Sequence, residues 1–463
     1  MNNLTHVIAA VSTPPGKGGV AVIRMSGGGA FEIADKVFLP QSGQRPSECR
    51  PRTQVYGYIV EDGERIDDVL VTRFPAPHSY TGEDTVEISC HGGILVTRTV
   101  LEVLLRHGAS PADKGEFTRR AFINGRLSLT EAEAIADLLE AGSRDQLRLS
   151  SDTSRSRLSA RISSIRTSLV GLMSSVYARI DYPDEDLGDF SDDELLSRLY
   201  NIKEDSRNLL STYRTGRAIS EGVRTVICGK PNAGKSTLYN LLLGEDAAIV
   251  TDIPGTTRDV LERAVPLGKV MLKIADTAGI RESDEMDAVE RIGVKKSLEM
   301  IAKSELLFAI FDISRPFDDE DRLIIDAIKE SNAPKVALLN KSDLAPSFNE
   351  NELIGFDRII KISAKEGEGD AISTLAELVN QMFTDEKIVV GQDAIISSAR
   401  QHAALTRCID HIDAAIESLE LGFAQDAASS DIERALGAIS ELDGRAVSEE
   451  IVADIFSKFC VGK

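Results

Sequence analysis

The sequence predicts a multidomain fold that joins α/β parts to an all-α part. Its 463 residues exceed what one ordinary hydrophobic core accommodates. Apolar residues follow a strand-like pattern in 1–124, a helical period in 125–220 and 383–463, and a strand, glycine-rich loop and helix repeat in 221–382. We therefore expect an N-terminal α/β domain, a helical bundle domain in two sequence parts, and a second α/β domain inserted between those parts.

Composition restricts the classes of function. Hydrophobic residues make up 42% and charged residues 27%, as in globular proteins, and no apolar run approaches the ~20 residues of a membrane span. The net charge of −21 argues against nucleic-acid binding through a broad basic surface of this chain alone. The five cysteines are scattered without a CxxC pair, which indicates a reducing compartment. We expect a cytoplasmic protein without membrane contact, which reaches any RNA substrate through a basic partner.

The N-terminal domain is indicated by short β-type runs at 20–23 and 85–88, with glycine and proline between such runs. Glu87 alternates within the second run, where an outward carboxylate is ordinary. Gly16, Gly18 and Gly19 fit a simple turn. From these residues alone, a turn and a strand are a simpler interpretation than a small-molecule site.

Caps and apolar stripes define the helical segments. Thr130 and Glu133 have the spacing of a capping box, and Ser191 with Glu194 can cap a later helix. The apolar positions that recur at helical spacing, and that we interpret as bundle core, are Leu158, Ile162, Ile165, Leu169, Met173, Val176, Ile180, Leu195, Leu199, Ile202, Leu405, Ile409, Ile412 and Ile416.

A phosphate-binding loop begins the inserted domain. Residues 229–236 read GKPNAGKS, the GxxxxGK[ST] pattern, between an apolar strand and an apolar helix. The glycines let backbone N–H groups face the phosphates. Lys235 adds a positive charge at the β- and γ-phosphates, and Ser236 can hold Mg²⁺.

Later motifs follow in the order typical of GTP-binding proteins. Residues 255–259 read GTTRD and 276–279 read DTAG, so Thr257 can complete the Mg²⁺ shell and Asp276 can hold a metal-bound water. Residues 340–343 read NKSD, and residues 363–365 (SAK) can complete the base pocket through backbone N–H. The Asp343 carboxylate can accept hydrogen bonds from the ring N–H and amino group of guanine, two donors that adenine lacks there.

Four motifs in order at domain-like spacing predict a Ras-like P-loop G domain that binds and hydrolyses GTP. The predicted GTP-binding residues are Asn232, Ala233, Gly234, Lys235, Ser236, Thr237, Thr251, Asp252, Ile253, Pro254, Gly255, Thr256, Thr257, Asp276, Thr277, Ala278, Gly279, Asn340, Lys341, Ser342, Asp343, Ser363, Ala364 and Lys365.

The residue that orients the catalytic water is less obvious. Many GTPases carry glutamine directly after the DTAG glycine, but Ile280 stands here and can neither donate nor accept. Asn232 is a possible ligand for a monovalent cation beside the phosphates. Glu290 is a possible water-orienting carboxylate or, on spacing alone, a solvated helical glutamate. Lys235 and Glu290 are the catalytic candidates of this domain.

Motifs outside the G domain resemble the bacterial tRNA modification GTPase family MnmE, also called TrmE. They are TPPGKGGV at 13–20, SYTGED at 79–84, HGG at 91–93, GEFTRRAF at 115–122 and CVGK at 460–463. Because other GTPases share the central motifs, these terminal ones carry the resemblance, which runs nearly end to end.

The resemblance implies that the N-terminal domain dimerises and binds a tetrahydrofolate derivative, 5-formyl- or methylene-tetrahydrofolate. The positions that match the folate-binding residues of the family are Arg24, Glu87, Arg126 and Lys463. The matching ligands are Asn232, Thr251, Ile253 and Thr256 for K⁺, and Ser236 and Thr257 for Mg²⁺. In this resemblance Glu290 orients water.

The resemblance also implies partners and a reaction. The family forms homodimers and works with a flavoprotein, MnmG, in a heterotetrameric or larger complex that binds tRNA. Together they add a carboxymethylaminomethyl or aminomethyl group to C5 of the wobble uridine. K⁺-dependent dimerisation of G domains activates GTP hydrolysis in the family.

Two other functions fit a GTP-binding chain. A ribosome-assembly or RNA-chaperone GTPase would favour an appended basic RNA-binding module, such as a KH domain, and the acidic C-terminal part offers none. A folate-binding scaffold whose G domain only reports the nucleotide state would lack GTP turnover.

The C-terminal segment carries one further prediction. Ile451, Ile455, Phe456 and Phe459 lie on one helical face, which we expect to dock and to hold residues 460–463 in place. Since the nucleotide site is complete without it, we expect Cys460 to serve the modification reaction and not GTP hydrolysis.

Overall fold

The structure, a computed structural model, describes residues 6–181, 191–243, 262–275, 300–347, 349–365, 370–423 and 425–463. The chain divides into two compact units, one of Met1–Leu139 with Leu436–Lys463 and one of Glu140–Ala435. The predicted combination of α/β and all-α parts is confirmed. The predicted domain boundaries at residues 124, 220 and 382 stay a prediction.

The described strands are β1 (Ile8–Val11), β2 (Val20–Ser26), β3 (Phe38–Pro40), β4 (Gln54–Glu61), β5 (Glu64–Phe74), β6 (Thr85–His91), β7 (Ser110–Pro111), β8 (Val223–Gly229), β9 (Glu262–Leu267), β10 (Val270–Ala275), β11 (Leu306–Asp312), β12 (Lys335–Asn340) and β13 (Arg358–Lys361). The described helices are α1 (Ala30–Val37), α2 (Ile94–Arg106), α3 (Glu116–Ile123), α4 (Leu129–Glu140), α5 (Arg144–Leu149), α6 (Asp152–Asp181), α7 (Asp192–Ser211), α8 (Tyr213–Ser220), α9 (Lys235–Leu243), α10 (Asp319–Lys329), α11 (Asp370–Phe383), α12 (Ala399–Glu420), α13 (Gln425–Asp443) and α14 (Glu449–Ser457).

In the first unit, one seven-stranded sheet has the order β3-β4-β5-β6-β2-β1-β7. Neighbouring strands are antiparallel, except that β1 and β7 run parallel. Alternate residues of β2 and β6 join α1 and α2 in one buried cluster. Arg24 is paired directly with Glu87 in the register of these two strands. Because side chains alternate between faces, this pair lies on the face opposite the cluster.

The end of the chain belongs to the first unit and is docked there. Ile455, Phe456 and Phe459 are buried against Leu129 and its neighbours, and each such side chain stabilises the contact by about 1.5–3 kcal/mol. The expectation of a docked face is therefore confirmed for these three residues. It is wrong for Ile451, which is 39% exposed, because the neighbouring Val452 packs against this cluster from the first turn of α14 instead.

The start of α4 differs from the predicted capping box at Thr130 and Glu133. The cap is Ser128, whose hydroxyl accepts the Glu131 N–H at 3.2 Å, while the Glu131 carboxylate accepts the Ser128 N–H at 2.7 Å. Thr130 is buried inside the helix and donates its hydroxyl to the Leu442 carbonyl. Ser128 and Thr130 each precede a glutamate by three residues, as a capping box requires. Because the Thr130 hydroxyl is bonded to the Leu442 carbonyl, Ser128 is the cap.

In the second unit, six strands form a sheet in the order β13-β12-β11-β8-β10-β9. Neighbours are parallel except for the β9–β10 hairpin. One face is covered by a core that includes α9 and α11, and the other by a core that includes α10. A parallel sheet with helices on both faces confirms the predicted Ras-like fold of the inserted part.

The predicted helical stripes are core in the second unit. All the described stripe positions from Leu158 to Ile416 are buried, and the side chain of Ile180 lies outside the described residues. Ser191 caps α7 as predicted, because its hydroxyl accepts the Glu194 N–H. Among the residues that the structure describes, no helix is long and apolar enough to cross a membrane.

Candidate functional site: a nucleotide cavity and a polar cluster in the N-terminal unit

The phosphate-binding loop connects the end of β8 to the start of α9. Asn232 has φ of +62° and Gly234 has φ of +108°, so the backbone turns tightly before the helix begins at Lys235. A Cβ atom on Gly234 would lie 2.0 Å from the side-chain nitrogen (Nδ2) of Asn340. Only glycine therefore allows this loop to approach the NKSD motif so closely.

Lys235 folds back over the loop that carries it. Its ammonium donates to the backbone carbonyls of Gly229 and Lys230, both at 2.7 Å. These contacts hold the positive charge over the concave side of the loop, where the N–H groups at the start of α9 also favour an anion. The arrangement fits the predicted role of Lys235 toward phosphate.

Asn340 joins three of the sequence motifs. Its side-chain nitrogen donates to the Ala233 carbonyl at 2.8 Å, and its side-chain oxygen accepts the Ala364 N–H at 3.0 Å. Asn340 is buried, so both hydrogen bonds are made away from water. One side chain thus fixes the phosphate loop, the NKSD motif and the SAK motif relative to each other.

Two further residues of the NKSD motif, Asp343 and Lys341, are held by side-chain contacts. Asp343 accepts a hydrogen bond from the Ser363 hydroxyl at 2.7 Å. Lys341 has φ of +66° and forms an ion pair with Asp312 at the end of β11. Burial opposes the ionised form of Asp312, but hydrogen bonds from Lys341 and Ser314 outweigh it and hold the pKa of this carboxyl below its ordinary value.

These motifs enclose a cavity of about 850 Å³. That volume is within the range of small-molecule sites. The predicted residues that line it are Asn232, Gly234, Lys235, Ser236, Thr237, Asn340, Lys341, Asp343, Ser363, Ala364 and Lys365. The predicted residues that lie outside the described part of the chain are Thr251, Asp252, Ile253, Pro254, Gly255, Thr256, Thr257, Asp276, Thr277, Ala278, Gly279 and Glu290.

Sequence reasoning missed some residues of this cavity. Tyr239, Asn240 and Leu344 also line it, and Asp312 holds Lys341 from the next strand. Asp312 had a usable signal, because it ends an apolar strand and the carboxyl ends of parallel strands meet at one edge. Tyr239 and Asn240 lie in a helix where nothing in the pattern distinguishes them from surface residues.

The folate candidates of the first unit are already paired or packed. Arg24 donates to the Glu87 carboxylate at 2.8 and 3.0 Å, and its guanidinium lies 5.5 Å from the ring centre of Tyr80 and 5.6 Å from that of Phe117. The backbone N–H of Phe117 donates to the Lys463 carbonyl at 3.2 Å. Three of the four candidates are therefore close together: Arg24 lies beside the Tyr80 and Phe117 rings, Glu87 is paired with Arg24, and Lys463 is bonded to the Phe117 backbone.

Arg126 is connected to this cluster through the loop 79–84. A Cβ atom on Gly82 would lie 3.2 Å from the Arg126 side chain, and the preceding Tyr80 contacts Arg24. Arg126 also lines a separate cavity of about 620 Å³ with Ser128 and Arg445.

Arg120 holds the loop 79–84 in place through ion pairs. Its side chain is fully buried and pairs with Glu116 at 2.8 Å and Glu83 at 3.2 Å. Glu83 also accepts a hydrogen bond from Ser26 at 2.8 Å. A buried guanidinium with paired carboxylates fixes the loop 79–84 against α3 and β2.

The tail 460–463 is held by backbone contacts. Lys114 and Val461 form a β-bridge, and the Ser12 hydroxyl donates to the Gly462 carbonyl at 2.9 Å. Gly462 has φ of +96°, and a Cβ atom there would lie 2.3 Å from the Val11 carbonyl. The expectation that the tail is held in place is confirmed, and the Cys460 thiol residue is exposed.

Two protein families match this chain, one after the other. The family described as "GTP-binding protein TrmE N-terminus" matches residues 7–126. The family described as "MnmE helical domain" matches residues 129–460.

Curated relatives match over the full length. A "tRNA modification GTPase MnmE" of Thermotoga petrophila is 42% identical over 460 residues, which cover 98% of this chain and 99% of the relative. A protein of the same name from Clostridioides difficile is 38% identical and covers 99% of this chain and 100% of the relative.

Solved structures match a smaller part. Era of Aquifex aeolicus is 25% identical with a TM-score of 0.27, covering 41% of this chain and 66% of Era. The G domain of the T. maritima FeoB iron transporter is 21% identical with a TM-score of 0.24, covering 35% of this chain and 96% of that domain.

Proposed function

Because the chain belongs to the family of the tRNA modification GTPase MnmE, we propose that its GTP hydrolysis serves the modification of the wobble uridine in tRNA. With a flavoprotein partner, MnmG, it adds a carboxymethylaminomethyl or aminomethyl group to C5 of that base. The observation that carries the GTP part of the proposal is the Asn340 side chain, which holds the phosphate loop and both base-recognition motifs around one cavity; the modification reaction rests on the family.

The cavity chemistry supports guanine over adenine. The Asp343 carboxylate lines the cavity, and one of its oxygens already accepts a hydrogen bond from the Ser363 hydroxyl. The remaining acceptor capacity suits the two adjacent donors of guanine, and adenine would leave it unpaired. Asp343 is exposed in the open cavity; once a bound base covers it, an unpaired acceptor would cost about 1–3 kcal/mol, which is enough to discriminate the two nucleotides.

Hydrolysis requires charge at the phosphates. Ser236 lines the cavity and would hold Mg²⁺ together with Thr257, and a Lewis acid there would neutralise charge on the phosphate oxygens. Asn232, which also lines the cavity, would bind K⁺ with Thr251, Ile253 and Thr256. Lys235 contributes a fixed ammonium, and Glu290 orients the attacking water.

The first unit would supply the one-carbon chemistry. The Arg24–Glu87 pair is partly buried beside two aromatic rings, a surface that fits the flat ring and polar edge of a tetrahydrofolate derivative, 5-formyl- or methylene-tetrahydrofolate. Arg126 and Lys463 would hold the anionic glutamate part. Cys460 is exposed in the docked tail and, in this proposal, serves modification and not GTP hydrolysis.

We further propose a homodimeric cytoplasmic protein whose G domains pair in the presence of K⁺. Turnover of GTP should then be faster in KCl than in NaCl at matched ionic strength. Equal rates in the two salts would remove the potassium part of the proposal and leave the GTP site unaffected.

The modification itself is tested in cells. Mass spectrometry of tRNA from a strain that lacks this gene should find wobble uridine without its C5 substituent, and the wild-type gene should restore it. Normal modification in the deletion strain would contradict the proposed function.

A further inference from the structure

One segment of the second unit contacts two of the loops around the nucleotide cavity, the phosphate loop and the NKSD motif. Residues 312–321, which we call the β11–α10 segment, run from the end of β11 into the first turn of α10. Asp312 is at one end of this segment, and Asp318 and Asp321 are at the other. None of these three carboxylates belongs to a nucleotide motif of the sequence.

The second end of the segment binds the phosphate loop. The Lys230 ammonium, in the variable part of the GKPNAGKS loop, lies 2.6 Å from Asp318 and 2.8 Å from Asp321. The Asp321 side chain is only 4% exposed, and its carboxylate also accepts the Asp318 N–H at 3.1 Å. Burial disfavours the charged form of Lys230, but the two carboxylates outweigh it and raise the pKa of its ammonium.

The first end binds the base-recognition motif. Asp312 pairs with Lys341, and the Ile313 N–H donates to the Asn340 carbonyl at 3.1 Å. The Asp312 side chain is 6% exposed and also accepts hydrogen bonds from Ser314 at 2.6 and 3.0 Å. This end is therefore attached to the NKSD motif by an ion pair and a backbone hydrogen bond.

The contact at Lys230 reaches the residue that meets phosphate. The backbone carbonyl of Lys230 accepts a hydrogen bond from the Lys235 ammonium. Fixing the Lys230 side chain on α10 therefore fixes the carbonyl that orients Lys235. A charge-assisted hydrogen bond to a buried carboxylate is among the stronger polar contacts in a protein.

We propose that the β11–α10 segment is a second connection beside the Asn340 side chain and helps to set the distance between the phosphate loop and the base-recognition motif, with Lys230, Asp321 and Asp312 as positioning residues for GTP. The proposal rests on the proposed GTP site. It predicts that loosening either end lowers nucleotide affinity without removing any group that touches the nucleotide's phosphates or base.

The test compares three variants of the full chain. Lys230→Met removes the ammonium, Lys230→Arg keeps a positive charge, and Lys329→Met removes an exposed charge near the other end of α10 as a control. Lys230→Met should raise the KM for GTP and the Kd for GDP roughly tenfold, with a smaller change in kcat. Lys230→Arg and Lys329→Met should stay within about twofold of the wild type.

A double variant separates one segment from two unrelated contacts. Asp312→Asn should also weaken GTP binding. The double variant Lys230→Met with Asp312→Asn should lose less GTP affinity than the product of the two single fold-losses, because either substitution alone already frees the segment. Multiplicative losses would overturn the proposal, as would a lower melting temperature of Lys230→Met with unchanged KM. If the wild-type chain bound no GTP, the proposed function would fail instead.

Discussion

The nucleotide cavity of the second unit and the folate candidates of the first differ in how their residues are brought together. The cavity residues come from loops at the carboxyl ends of neighbouring parallel strands, between Gly229 and Lys365. The folate candidates come from two antiparallel strands, the loop between α3 and α4, and residue 463. The cavity residues depend on strand order, whereas the folate candidates also require the docking of a distant tail, which brings Lys463 to Phe117.

Their electrostatics also differ. Lys235 donates to two backbone carbonyls of its own loop and lines the nucleotide cavity. Arg24 is already neutralised by Glu87, so a ligand there must compete with or extend an existing ion pair. We infer that the nucleotide cavity is preorganised for an anion, whereas the first unit presents a polar pair that recognises shape and hydrogen bonds.

The largest effect is expected at Lys235. Lys235→Ala should lower kcat for GTP roughly 10²–10³-fold, since it removes a preorganised charge at the transferring phosphate. Lys269→Ala, at the exposed turn between β9 and β10, is the matched control and should hydrolyse GTP like the wild type. Steady-state hydrolysis decides the matter, and a Lys235→Ala enzyme with wild-type kcat would contradict the assignment.

This contrast explains what the sequence could predict. Asn340 and Asp343 follow an apolar strand with fixed spacing, so their location at the cavity could be predicted from the NKSD pattern. The placement of Lys463 beside Phe117 could be expected only from the family resemblance, because a pairing across more than 300 residues leaves no local pattern. The choice of Ser128 over Thr130 as cap depended on the buried contact with Leu442, which no local spacing contains.

The next effect is on modification alone. Cys460→Ser should lower wobble-uridine modification severalfold in cells while purified protein keeps its GTP turnover, because the thiol belongs to the unit without the nucleotide cavity. Val461→Ala is the control, since it preserves the thiol and the backbone contacts of the tail. Normal modification in tRNA from the Cys460→Ser strain would make this cysteine a structural passenger.

A smaller effect is expected from loosening the tail. Gly462→Ala places a Cβ against the Val11 carbonyl in a left-handed backbone conformation, at a cost of about 1–3 kcal/mol. Hydrogen exchange at residues 114–117 and 460–463 should rise, and modification should fall with it. Gly437→Ala, a helical glycine with no atom within 4 Å of the new Cβ, should leave exchange in these segments unchanged. Equal exchange in both variants would show that the tail is held by other contacts.

The most direct measurement concerns the base that the cavity selects. Asp343→Asn replaces one carboxylate oxygen by an amide donor, which opposes the donors of guanine and suits the C2 carbonyl of xanthine. The wild-type chain should hydrolyse GTP in preference to XTP, and Asp343→Asn should reverse this preference, with GTP affinity reduced roughly 10- to 100-fold. If Asp343→Asn bound and hydrolysed GTP as the wild type does, the guanine nucleotide site would not lie in this cavity.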